Sequence, residues 1–370
     1  MTSVKTRPMA FELSIYLDLV RTLAAFMVFI SHVSNATKGP LWHVSGHAKE
    51  AVVIFFVLSG FVIGHVAATR EGTASSYAVA RLARIGSVAI PAIAITLVLD
   101  WIGMHYGDAA DLYHAARHAR RDPEIMDVLR SLLFLNETWN DHIVVGTNEP
   151  YWSLGFEVWY YVIFGIVLFA PPLIGIAGAA AVLLAIGPKV AVLFPLWLLG
   201  LACHRVIARA AQAGHPLMPR AAGAAVFAAS ILLYATMYAQ VPLRDAYDPF
   251  ELSAAAMVTW LYCYAVALLF AANLIGFSVI GPWLHAPARR SAPAIRWFAG
   301  ASFSLYLFHQ PVVIFLISVL PVDPGRSFGT VVIVVAALAL VLALAEFTER
   351  RKRAWQRLFE AVPFLGPRRP

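Results

Sequence analysis

The stretch Tyr16-Leu-Asp-Leu-Val-Arg-Thr-Leu-Ala-Ala-Phe-Met-Val-Phe-Ile-Ser-His32 decides the fold. It is apolar enough for the interior of a bilayer, yet it carries Asp18, Arg21 and His32. Ionisable side chains at membrane depth are costly, roughly 2.5–3.5 kcal/mol for a central arginine on insertion scales, and mark functional sites by default. Arg21 and His32 are about three helical turns apart, which places them on one face and roughly 16 Å apart along the axis. A face bearing Asp18, Arg21 and His32 looks into a polar cavity rather than lipid.

The whole chain repeats this apolar character. Of its 370 residues 60% are hydrophobic and only 13% charged, and the mean hydropathy is +0.72. A water-soluble domain with a polar surface is excluded. The fold class expected is an all-α, polytopic membrane helix bundle of about ten spans: 14–33, 50–69, 85–103, 151–170, 172–187, 190–207, 221–239, 253–280, 298–320 and 328–347. Residues 1–349 read as one membrane domain and 350–370 as a basic tail. Lys5 and Arg7 ahead of an apolar run resemble a signal peptide, but Asp18 and Arg21 interrupt the run and no small-residue cleavage site follows, so a retained first span is expected. Cys203 and Cys263 fall in or beside spans, which predicts buried thiols rather than a disulfide framework.

Orientation follows from lysine and arginine counts. With a cytoplasmic N-terminus, the inner connections hold Lys5, Arg7, Arg70, Arg81, Arg84, Arg205, Arg209, Arg220, Arg289, Arg290, Arg296 and the tail from Arg350 to Arg369. The outer side holds Lys38, Lys49, Arg117, Arg120, Arg121, Arg130, Lys189, Arg244 and Arg326. Both termini are therefore expected in the cytoplasm, with Glu349-Arg-Arg-Lys-Arg353 anchored at an anionic leaflet. This accounts for the net charge of +7 without nucleic acid.

Several segments carry chemistry. His32, with an ordinary pKa near 6.5, can accept a hydroxyl proton or serve as a structural hydrogen-bonding group. The fourth span opens Glu149-Pro-Tyr-Trp152-Ser153-Leu-Gly-Phe-Glu157-Val-Trp-Tyr160-Tyr161, and runs opposite to the first, so Glu157 is expected at a depth similar to His32. It can hold the imidazole, stabilise an imidazolium, bind a hydroxyl, or simply be satisfied inside the bundle. Arg81 and Arg84 share a helical face, and guanidinium forks suit phosphate, although positive flanks are common at inner ends. Ser302, Tyr306 and His309 follow i, i+4, i+7 spacing and form an inward polar stripe that binds substrate or joins helices. Gly60 and Gly64 in the second span predict close helix packing. His43 and His47 lack a convincing third metal ligand, so no metal is expected. The segment 105–150, amphipathic around Glu124 to Leu135, is either a lid that binds the acceptor or a folded connector.

Taken in order, Leu17-Asp18 with Arg21 and His32, Phe55-Phe-Val-Leu-Ser-Gly-Phe61, Arg81-x-x-Arg84-Ile, Trp152-Ser-Leu-x-x-Glu157 with Tyr160, and Ser302-Phe-Ser-Leu-Tyr-Leu-x-His309 resemble the acyltransferase 3 family of bacterial integral membrane O-acyltransferases. The arginine run departs from that family in lacking an adjacent third arginine and a nearer proline, and Val158-Trp159 follow Glu157. With the chain ending at Pro370, the hydrolase-like domain fused to some members is not expected.

The resemblance implies transfer of an acyl group, most often acetyl, from cytoplasmic acyl-CoA to a hydroxyl of a surface carbohydrate such as an exopolysaccharide or lipopolysaccharide unit, at the inner membrane. It implies acyl-CoA as donor substrate with no permanently bound cofactor, a carbohydrate acceptor and the lipid bilayer as partners, and no nucleic acid. His32 and Glu157 are then the catalytic candidates, with His32 as general base or as an acyl-histidine intermediate. Arg21, Arg81 and Arg84 are the donor-binding candidates, and Asp18, Trp152, Ser153, Tyr160, Ser302, Tyr306 and His309 form the accompanying polar stripe. A proton-coupled transporter or flippase for a sugar or acyl compound is the alternative. Inverted repeats and paired broken spans would favour it, and the sequence offers neither.

Overall fold

The structure, a computed structural model, describes residues 9–41, 46–69, 72–108, 113, 125–240 and 256–362. Lys5, Arg7, His43, Arg70, Arg117, Arg120, Arg121, Glu124, Arg244 and Arg369 lie outside the described residues. All regular elements among the described residues are helical: α1 (Phe11–Thr37), α2 (Ala48–Thr69), α3 (Ala74–Tyr106), α4 (Ile125–Leu132), α5 (Leu154–Phe169), α6 (Pro172–Ile186), α7 (Pro188–Ala213), α8 (Arg220–Gln240), α9 (Ala256–Ile280), α10 (His285–Ala299), α11 (Ser302–Val319), α12 (Ser327–Phe347) and α13 (Lys352–Glu360). Nine helical stretches among these residues are long and apolar enough to cross a membrane, and α6, at 15 residues, is a shorter apolar tenth. Helices are the outcome because hydrocarbon offers no partner to a backbone N–H or C=O, so each segment must satisfy its own.

Two boundaries differ from the sequence expectation for physical reasons. The third span was expected from 85, whereas α3 starts at Ala74. Its early turns stay helical because the Arg81 guanidinium lies over the rings of Tyr77 and Tyr161, 5.6 and 5.8 Å from their centroids, so the charge is housed within the protein. The ninth span was expected from 298, whereas the helix breaks at Gly300 and Ala301 and α11 begins at Ser302.

Two compact units can be distinguished. One draws on Met1–Ala24, Lys49–Thr73 and Ala191–Ala299, the other on Ala25–Ala48, Ala74–Val190 and Gly300–Pro370. In the first, α2 and α7 touch backbone to backbone. A Cβ on Gly60 would stand 1.9 Å from the Trp197 carbonyl oxygen, and one on Gly200 would stand 1.9 Å from that of Val57, so neither position admits a side chain. Polar groups join the other helices of this unit. The Tyr16 ring stacks on Phe277, its hydroxyl donates to Asn273, and the Asn273 amide donates to Ser230 at 3.0 Å. Cys203 and Cys263 are buried free thiols.

In the second unit, α11 packs on both α3 and α12, α6 packs on α5, and the tail helix α13 lies on α3. Phe359 of α13 meets the space over Gly86, so the start of the basic tail is part of the helical body. The described part of the 105–150 segment is tied down at many points. Thr147 donates to Asp100 through its backbone N–H at 2.8 Å and its hydroxyl at 2.7 Å, Asn148 donates to Thr96 at 3.0 Å, and Trp159 donates to the Phe134 carbonyl at 2.9 Å. Gly146 makes this turn at φ +57, where a Cβ would strike the Asp100 carboxylate at 2.2 Å.

Candidate functional site

The second unit gathers a polar track along α11. At its start, Glu349 accepts from the backbone N–H groups of Phe303 and Ser304 at 3.1 and 2.9 Å, and Ser304 shares a 3.2 Å hydrogen bond with Thr348. A carboxylate there answers the open N–H groups and positive dipole end of the helix. Buried Ser302 also lies in this first turn. One turn on, Tyr306 donates to Ser153 at 2.9 Å. Next comes His309, fully buried, with its ring stacked on His32 at 4.9 Å between centroids and 10° between planes.

The nitrogens of this histidine pair admit one consistent proton arrangement when both rings are neutral. His309 Nδ1 is 2.9 Å from the Leu305 carbonyl, which can only accept, so that nitrogen carries the hydrogen. His309 Nε2 is therefore the acceptor. It lies 2.6 Å from His32 Nδ1, which must then donate. The lone pair of neutral His32 is left on Nε2, and the ring is only half-buried. The two imidazoles thus form an oriented chain from a backbone carbonyl to a basic nitrogen. Phe29 closes one side, edge-on to His309 at 6.1 Å. The carboxylate whose charge acts on His32 is Glu149, which opens the 3-10 turn Glu149–Ser153 ahead of α5.

Glu157 sits in a second cluster of the same unit. Tyr161, one turn further along α5, donates to Glu157, and Arg84 is hydrogen-bonded to Tyr161 and feels the charges of Glu157 and Glu349. Tyr77 donates to the Tyr161 carbonyl at 3.0 Å. Arg81 lines an apolar cavity of about 810 Å³ between α3 and α5, which Phe359 also lines. Arg81 and Arg84 are thereby brought together with Glu157, and His32 with His309.

Other expected residues fall elsewhere. Arg21 belongs to the first unit, paired with Asp18 at 3.1 Å and donating to the Ala299 carbonyl at 2.9 Å. Tyr160 donates to the Val190 carbonyl at 3.0 Å, an interior brace between α5 and α7. Trp152 meets Phe156 edge to face at 5.3 Å. Sequence reasoning missed Glu149, Tyr161, Tyr77 and Glu349. The i, i+4 spacing of Glu157 and Tyr161 was a usable signal. Glu349 offered none, because its partners are more than forty residues away in the chain.

A family model described as an acyltransferase domain, that of the acyltransferase 3 family, matches residues 14–346. No curated protein and no solved structure matches the chain.

Proposed function

The chain belongs to the acyltransferase 3 family, and from that premise we propose that it moves an acyl group, acetyl in the simplest case, from acyl-CoA to a carbohydrate hydroxyl. The donor is taken from the cytoplasm and the acceptor lies on the far face of a bacterial inner membrane, an orientation supported by the lysine and arginine asymmetry of the connections.

The observation that carries the chemistry is the oriented pair His32 and His309. His32 Nε2 removes the proton of the acceptor hydroxyl as its oxygen adds to the thioester carbonyl. The carbonyl re-forms as the C–S bond breaks, and the thiolate leaves with the proton held on Nε2. His309 is a positioning residue in this scheme. Its Nε2 accepts from His32 Nδ1 throughout, which holds the ring and stabilises the imidazolium formed during transfer, as the third member of a triad does. Glu149 supplies negative charge in the same direction. Arg81, over two aromatic rings at a cavity wall, and Arg84 are assigned to the donor's phosphates. Glu157 holds Tyr161 and, through it, Arg84.

The test is incubation of purified protein in nanodiscs with labelled acetyl-CoA and candidate glycans, with products read by mass spectrometry. Labelled glycan from the wild type and none from His32→Ala is the expected result. Wild-type transfer by His32→Ala would end the assignment. An acyl label trapped on His32 without acceptor would replace the general base with an acyl-imidazole, and the absence of any acyl-CoA turnover would return the choice to proton-coupled transport.

A further inference from the structure

The first unit contains a cavity with a basic rim that the transfer chemistry does not use. It has a volume of about 330 Å³, a size typical of small-ligand sites, and opens where the start of α1, the ends of α2, α7 and α9, and the start of α8 gather. Its walls differ from those of the α3–α5 cavity. His65, His204, His215 and Arg220 surround it, with Gln212 and Ser278, and no acidic residue is among the described residues that line it.

The arrangement is built rather than a loose charged flank. Gly64 has no side chain because the His204 ring occupies its place: a Cβ there would stand 3.0 Å from His204 Nδ1 and 2.7 Å from Leu201. His204 is thereby buried, held edge-on between Phe61 at 5.4 Å and His65 at 5.5 Å. Its electrostatic neighbours among the described residues, His65 and Arg205, are both basic. Opposite, His215 and Arg220 are exposed at the rim, while Leu13, Phe61, Ile207 and Leu217 give the cavity an apolar wall. A site with several imidazole and guanidinium donors, no carboxylate among the described residues that line it and an apolar wall suits an anion joined to an aromatic ring.

We propose that this cavity binds a soluble phosphorylated nucleotide, its phosphate held by His215, Arg220 and the His65–His204 pair and its base against the apolar wall. The donor phosphates of the transfer reading are assigned to Arg81 and Arg84, so this ligand is a separate one. The site does not depend on that reading, because it is defined by this unit's residues alone.

The probe is adenosine 3′,5′-bisphosphate, titrated by calorimetry into the full chain in phosphatidylcholine nanodiscs. Saturable binding is expected, with adenosine much weaker, and with affinity reduced about tenfold or more in the double variant His215→Gln, Arg220→Gln, since each removes a charge-assisted contact. Both positions are exposed, so the fold survives, and a melting curve checks this. His32→Ala binds as the wild type does. Failure of the wild type to bind, or equal affinity in the double variant, overturns the proposal. Loss of nucleotide binding in phosphatidylglycerol nanodiscs, restored by diluting that lipid, overturns it in favour of an anionic lipid headgroup. Nucleotide binding by a protein that transfers no acyl group would sink the transfer reading and leave this one standing.

Discussion

Two polar networks are buried in the same unit, and they differ in how they end. Around the described part of the outer segment, the Lys189 ammonium donates to Glu137 and to the Asp141 carbonyl, both at 2.7 Å, and the second Glu137 oxygen meets His142 at 2.6 Å. The side chains of Lys189 and Glu137 are 4% and 0% exposed. This network closes on itself: opposite charges cancel and both carboxylate oxygens are used. The chain from the Leu305 carbonyl through His309 to His32 does not close, because it ends on a nitrogen with a lone pair in a half-buried ring. A closed network specifies structure, whereas an open one can accept a proton.

The open network is lost most visibly at His32. Replacing it with alanine is expected to lower kcat by about a thousandfold, within the usual range for a lost general base, while the melting temperature stays near that of the wild type. A variant that melts early but keeps wild-type turnover per folded molecule would move His32 into the structural class. Lys189→Met is the mirror case. It strands the Glu137 carboxylate without its cation, which costs about 3–5 kcal/mol of stability. Adding Glu137→Leu recovers most of that loss, and turnover per folded molecule stays unchanged in both variants. Denaturant unfolding together with active-site-normalised rates checks this pair.

How much of this was legible depends on whether the partner lies nearby in sequence. The ordered motifs from Leu17 to His309 were readable, and so was the bundle, because a run of apolar residues long enough to span has few other fates. The stripe of Ser302, Tyr306 and His309 was visible from spacing alone. Its partners were not: Ser153 and His32 approach α11 from helices far away in the chain. Depth reasoning placed Glu157 level with His32, and depth says nothing about rotation about the helix axis. Rotation directs Glu157 to Tyr161, while Glu149, more than two turns earlier, supplies the charge at His32. The start of α3 was hidden for a similar reason. Arg81 reads as a boundary residue until Tyr77 and Tyr161 give its guanidinium two aromatic faces.

Substitutions at Arg81 and Tyr306 have smaller expected effects. Arg81→Gln is expected to raise KM for acyl-CoA about tenfold with kcat little changed, as loss of a charged ground-state contact does. Lost contact with the two rings lowers stability by only about 1 kcal/mol. Steady-state kinetics over a range of donor concentrations separates the two parameters, and an equal fall in kcat would place Arg81 in the chemistry itself.

Tyr306→Phe has the smallest expected effect. It removes one hydroxyl and the 2.9 Å bond to Ser153, but Ser153 keeps a second partner because it donates to the Pro150 carbonyl at 3.3 Å. No buried charge is exposed and no cavity larger than an oxygen atom forms, so the loss in stability is about 1 kcal/mol. The ring still fills its place one turn before His309, and the proton chain from the Leu305 carbonyl to His32 is untouched. Turnover should therefore fall no more than about fivefold, in line with that small energy. A loss approaching that of His32→Ala would mean that the hydroxyl belongs to the open network, with Tyr306 contacting substrate rather than bracing the helix that presents His309.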